Sequence, residues 1–135
     1  MNSSQKIAYS PGKCNIGPKE IRKRYAIGFL GFITAIILIV LFSFFKLNYL
    51  FFIILLLPFL LGFVGFYQGY TKFCVGNAME GIYDLSDTKS RRGVIKNRIS
   101  HSLDLKKAVI LIAYSVISAA IITFIITFIA YYTGV

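Results

Sequence analysis

The sequence predicts an all-α integral membrane protein with three transmembrane helices, and three observations carry that expectation. Two long apolar runs without a charge, Tyr25 to Phe45 and Tyr49 to Tyr70, stand on either side of the break Lys46-Leu47-Asn48. A third uncharged run, Ala108 to Tyr132, follows a polar stretch. The composition is 57% hydrophobic, above the roughly 45–50% of an ordinary soluble domain. The runs hold 21, 22 and 25 residues, and about 20 helical residues at about 1.5 Å each cross a hydrocarbon core of about 30 Å. Because the break is so short, the first two helices, over residues 18–45 and 49–70, are expected to form a tight antiparallel hairpin.

Charge sets the expected orientation. Fifteen Lys and Arg against five acidic residues give a net charge of +10, a balance that in a soluble protein would suggest nucleic acid. Here the cations sit in blocks beside the apolar runs. Fourteen of the fifteen lie before Tyr25 or between Tyr70 and Ala108, and only Lys46 lies on the other side. The positive-inside rule then predicts a multi-pass protein of the plasma (inner) membrane with its N-terminus in the cytoplasm and its C-terminus outside. A nucleic-acid partner is disfavoured. The first run is too long for a signal-peptide core of about 7–15 residues, and Phe44-Phe45-Lys46 offers no small-residue cleavage site.

Residues 1–14 read as a flexible basic tail. Asn15 to Pro18 supplies a capping residue and a first-turn proline, followed by Glu20 where the helix dipole favours a carboxylate. Residues 15–70 hold the hairpin, with Pro58 predicted to kink its second helix. Residues 71–106 read as a cytoplasmic basic loop, in which Phe73, Val75, Met79, Ile82 and Tyr83 suggest a short interfacial helix ahead of a turn at Asp84 to Thr88. Residues 107–135 supply the third helix and a short outer tail, with Ser100 or Ser102 expected to cap it.

Small residues mark the expected packing faces. Gly28, Gly31 and Ala35 fall at i, i+3, i+7 on the first helix, and Gly62, Gly65 and Gly69 repeat that spacing on the second. Small side chains let backbones approach closely, which is how helices associate where lipid removes any hydrophobic drive between them. Ser115, Ala119 and Thr123 recur every fourth residue on the third helix and read the same way.

No catalytic constellation is legible, and no cofactor is predicted. The apolar runs contain no Asp, Glu, Lys, Arg or His, the usual marks of ion and proton paths in membranes. His101 stands near Asp104 between two serines, but neighbours on one short segment cannot reproduce a hydrolase triad; it is expected to face solvent or lipid phosphate. Cys14 and Cys74 are expected just outside the cytoplasmic surface, where with His101 they make a candidate redox or metal-binding set. Reducing conditions disfavour a disulfide, and the spacing matches no standard zinc motif. Inert packing and lipidation are the other readings of the two thiols. Lys13 and the nearby helix start predict a lowered thiol pKa at Cys14. Arg22, Lys23, Arg24, Arg91, Arg92 and Arg98 are expected to contact anionic lipid headgroups.

The segment Lys13-Cys14-Asn15-Ile16-Gly17-Pro18-Lys19-Glu20-Ile21, taken with Phe73-Cys74-Val75 after an apolar run, resembles a pattern in small uncharacterised prokaryotic multi-pass membrane proteins. The resemblance implies that the two cysteine segments act as one unit, and it brings no activity. The expected function is a non-catalytic accessory or scaffold subunit of a larger membrane complex, with the lipid bilayer and either other subunits or a second copy as partners. The alternatives are a redox or metal-binding protein using Cys14 and Cys74 and a protein that binds anionic lipid.

Overall fold

The computed structural model describes residues 8–85 and 92–134. In chain order these form α1 (Pro18–Phe44), a 3-10 helix (Tyr49–Leu55) that runs into α2 (Leu56–Tyr70), α3 (Val75–Glu80), strands β1 (Ile82–Asp84) and β2 (Arg92–Val94), and α4 (Arg98–Thr133). The chain is mostly helical, and three stretches, α1, Tyr49–Tyr70 and α4, are long and apolar enough to cross a membrane. With 36 residues, α4 is about 54 Å long. It therefore outruns a hydrocarbon core of about 30 Å, and its polar opening turns, Arg98 to Lys107, are the surplus.

Local chemistry explains the ends of these elements. Gly17 precedes α1 with an extended backbone and no side-chain cap, and Pro18 lacks only an N–H that the first turn would leave unpaired. Glu20 sits near the positive end of the helix and pairs with Lys23 at 2.5 Å and Arg24 at 3.7 Å. Beyond Phe44 the chain turns through Lys46 in the left-handed region (φ 49°), and Asn48 Oδ1 accepts the Leu50 N–H at 3.0 Å to open the 3-10 helix. Contrary to the expected mid-helix kink, Pro58 falls in the first turn of α2. Its ring crowds the carbonyl four residues back and it cannot donate to it, so the 3-10 pattern persists through Leu55 and the α pattern begins at Leu56.

Residues rising along α1 meet residues falling along α2. Tyr25 covers Gly69, Gly28 faces Gly65, and Gly31 faces Gly62 and the Pro58 carbonyl. A Cβ on Gly31 would stand 2.5 Å from the Gly62 nitrogen, and one on Gly28 would stand 2.8 Å from the Phe66 nitrogen; only a residue without a side chain fits. Ala35 continues the seam fully buried. On its other side α2 packs against α4, where Ser115, Ala119 and Thr123 are buried and the Tyr67 and Ser118 hydroxyls lie 2.9 Å apart. Since α1 and α4 scarcely touch, the three helices form a row centred on α2. Their outer faces stay apolar: Phe29, Leu57 and Phe124 are 66%, 69% and 70% exposed.

The expectation of an all-α chain needs correction at the polar end. β1 and β2 pair antiparallel, Ile82 with Val94 and Asp84 with Arg92, and the latter pair adds an ion pair at 3.4 Å. The interfacial helix shrinks to the six residues of α3, because Gly81 takes a left-handed conformation (φ 68°) and ends it. Nor does Ser100 or Ser102 cap α4. Asn97, extended and one residue ahead of the first helical position, accepts the Ile99 N–H at 2.9 Å and starts the helix earlier, at Arg98. Residues 86–91, which include most of the expected turn and Arg91, lie outside the described residues.

Candidate functional site

The polar end is knotted around Asn15. This side chain is fully buried; its amide nitrogen donates to the Cys74 carbonyl at 2.9 Å and its Oδ1 accepts the Cys74 N–H at 2.6 Å. Its backbone N–H donates to the Lys72 carbonyl at 3.2 Å, and its own carbonyl accepts the Asp84 N–H at 3.0 Å. One residue thus joins the entry to α1, the exit from α2 and β1. Ile16 is equally buried and bridges Asp84 in parallel, while the Gly17 N–H donates to the Asp84 carbonyl at 2.8 Å. A Cβ on Gly17 would meet the Leu85 backbone at 2.7 Å. Rather than capping α1 as expected, Asn15 is spent on this junction. From α2, Gln68 joins in: 5% exposed, it accepts the Val75 N–H at 3.2 Å through Oε1.

A second tie holds the segment before Cys14, which the sequence leaves as a loose tail. Asp104 on α4 is fully buried, and its carboxyl oxygens accept the Gly12 N–H at 2.6 Å and the Tyr9 hydroxyl at 3.1 Å. Tyr9 also stacks on Tyr83 with ring centroids 4.8 Å apart. Burial, followed by the charge of Asp104, pushes the Tyr9 phenol up to about 12. The hydroxyl therefore stays protonated, and donating, throughout the neutral range.

Each candidate metal or redox residue is occupied locally. Cys14 Sγ donates to the Ile16 carbonyl at 3.5 Å, Cys74 Sγ accepts the Asn77 N–H at 3.4 Å as the cap of α3, and His101 Nε2 lies 2.9 Å from the Ala78 carbonyl. That last contact requires the proton on Nε2 and makes His101 a tie between α3 and α4, not the solvent- or phosphate-facing group expected. Among the described residues no three His, Cys, Asp or Glu side chains converge on a point where an ion could sit. Burial pushes the Cys14 thiol up, outweighing the opposing charge of Lys72. The lowered pKa expected beside Lys13 is thereby corrected.

The cations named as headgroup contacts divide into three groups. Arg22, Lys23 and Arg98 are exposed; Arg24 is partly covered, with a buried Nε that has no acceptor among the described residues; Arg92 is exposed but paired to Asp84. Arg91 is outside the described residues.

Two apolar grooves open on the helical row. One, of about 490 Å³, lies between Tyr25, Ala26, Gly28, Phe29 and Phe32 on α1 and Phe66 on α2. The other, of about 420 Å³, lies between the 3-10 helix and α4 and is floored by Ala120, Thr123 and Thr127. Tyr49 and Tyr131 lead from it to a further hollow bordered by Lys46. The Thr123 hydroxyl is buried and finds no partner among the described residues. Its neighbours behave otherwise: Ser115 and Thr127 each donate to the carbonyl four residues back at 2.8 Å.

No protein-family model, no curated protein and no solved structure matches the chain.

Three residues of the site, Asn15, Gln68 and Asp104, escape a sequence reading directed at thiols and cations. Gln68 carries a signal, as the one amide inside an otherwise apolar run. Asn15 and Asp104 carry none by themselves, since each looks like an ordinary helix-start residue.

Proposed function

We propose that this chain is a small, non-catalytic, multi-pass subunit of a larger assembly in the plasma (inner) membrane. The first two spans act as an antiparallel hairpin, with the N-terminus in the cytoplasm and the C-terminus outside. The asymmetry of fourteen cations against one supports that orientation. The observation that carries the assembly is the open side of the helical row, where the apolar groove between the 3-10 helix and α4 is lined by Tyr49, Leu50, Ile53 and Phe124. A neighbouring apolar helix would seat its side chains in this groove. The row arrangement supports the same reading, because each helix keeps a long apolar face open to a neighbour.

Extraction from native membranes in mild detergent tests the assembly. The 15.2 kDa chain is expected to travel with at least one other membrane polypeptide or a second copy. Ala120→Trp, at an exposed position of this groove, is expected to leave the isolated chain folded while weakening its recovery in the complex by about fivefold, the equivalent of about 1 kcal/mol. A clean monomer from native membranes would sink the proposal.

The orientation has its own test. With Cys74 replaced by Ser, Cys14 is expected to resist an impermeant maleimide in intact cells and to react in opened vesicles. Its raised pKa means that the reaction accelerates as the pH rises above neutrality. In a cysteine-free background, Lys46→Cys should show the opposite accessibility, and labelling of Cys14 from outside would invert the topology.

A further inference from the structure

We propose that the groove between α1 and α2 retains an anionic glycerophospholipid, its acyl chain lying along Tyr25, Phe29, Phe32 and Phe66 and its phosphate held by Arg22. The inference requires α1 to cross a bilayer, as the proposed function does, but it requires no protein partner.

Geometry supplies the first argument. Arg22, Tyr25, Phe29 and Phe32 fall at i, i+3, i+7 and i+10 on α1, so they form one stripe down one side of a continuous helix. The last three line a groove of about 490 Å³ whose far wall is Phe66 on α2, a volume within the roughly 300–1,000 Å³ of ordinary ligand pockets. Arg22 closes the stripe at its polar end, one turn beyond the aromatic lining. A long side chain at that position extends toward the helix N-terminus and sets its guanidinium at headgroup depth.

Charge supplies the second. Glu20 is already shared by Lys23 and Arg24, and among the described residues Arg22 takes part in no ion pair. The groove is thus apolar along its length and ends in an uncompensated cation. A zwitterionic headgroup offers that cation a phosphate screened by its own amine; an anionic one offers net charge. The pocket reaches the outer edge of the helix seam at Gly28, one of its lining residues.

The test is lipid retention in reconstituted protein. The full chain is incorporated into vesicles of equal phosphatidylglycerol and phosphatidylcholine, extracted gently and weighed intact by native mass spectrometry. The wild type is expected to keep phosphatidylglycerol in preference. Arg22→Gln should reduce that preference about fivefold, the effect of one cation at the membrane surface, whereas Lys106→Gln, an exposed cation on another helix, should leave it unchanged. Ala26→Trp, at an exposed groove position, should displace lipid of either kind while the helix content by circular dichroism is preserved. Equal losses in the Arg22 and Lys106 variants, or full retention in Ala26→Trp, would overturn the site in favour of diffuse surface charge.

Discussion

Gly31→Leu is expected to drive α1 and α2 apart and to lower the stability of the detergent-solubilised protein by about 3 kcal/mol, the upper end of the overpacking range. At this position the first atom of any side chain would stand 2.5 Å from the Gly62 nitrogen and 2.8 Å from the Pro58 carbonyl oxygen. Both are backbone atoms of the facing helix, so no rotamer change relieves the clash and the helices must separate or slide. Separation forfeits the dispersion contacts that hold membrane helices together. Gly76→Ala is the control: a Cβ there meets only Cys74 Sγ, at 3.7 Å, on the exposed face of α3. That variant should be neutral or stabilised by up to about 1 kcal/mol through helix propensity. Thermal unfolding followed by circular dichroism separates the two, and equal behaviour would mean that the seam is loose.

The three helices long and apolar enough to cross a membrane could be read from the chain because each is set by a local property, an uninterrupted apolar run of sufficient length. The glycine spacings were legible for the same reason, since the 3.6-residue period turns sequence distance into a shared face. What the sequence withheld depends on partners far away along the chain. Asn15 lies 59 residues from Cys74 and Gly12 lies 92 from Asp104, and no periodicity links either pair. Asn15 has the side chain of a helix cap, and local rules assign it to the nearest helix; burial against Cys74 overrides them. Strand β1 is not legible in the sequence because tertiary pairing, not intrinsic propensity, decides segments of three residues; the start of α4 at Arg98 rests on a local cap, Asn97, in competition with Ser100 and Ser102 a few residues on. The resemblance carried by Cys14 to Glu20 and by Cys74 implied a single unit, and these stretches do lie together in the structure, though it is the asparagine between the thiols that bonds them.

Removing that asparagine should therefore unfasten the polar end while leaving the three long helices formed. Asn15→Leu introduces an apolar side chain of comparable reach that neither pairs the Cys74 N–H nor donates to the Cys74 carbonyl; the N–H loses its acceptor, while the carbonyl keeps the Ala78 N–H at 3.1 Å. An orphaned buried N–H costs about 1–3 kcal/mol, so the junction should weaken by about that much. The loss is local, because α1, α2 and α4 draw their stability from the glycine seam and the α2–α4 contact. Cys74 is the natural reporter, being only 2% exposed in the intact fold. In a Cys14→Ser background its alkylation should be slow with Asn15 present and at least tenfold faster in the Asn15→Leu variant, a factor that only about 1.4 kcal/mol of opening free energy would produce. Asn15→Asp refines the assignment: its carboxylate can still accept the Cys74 N–H, but sets oxygen against the Cys74 carbonyl, and it should fall on the side of the leucine variant. If Cys74 stays unreactive in both while circular dichroism is unchanged, the entry to α1 is held by the backbone of residue 15 with Ile16 and Gly17, and not by the asparagine side chain.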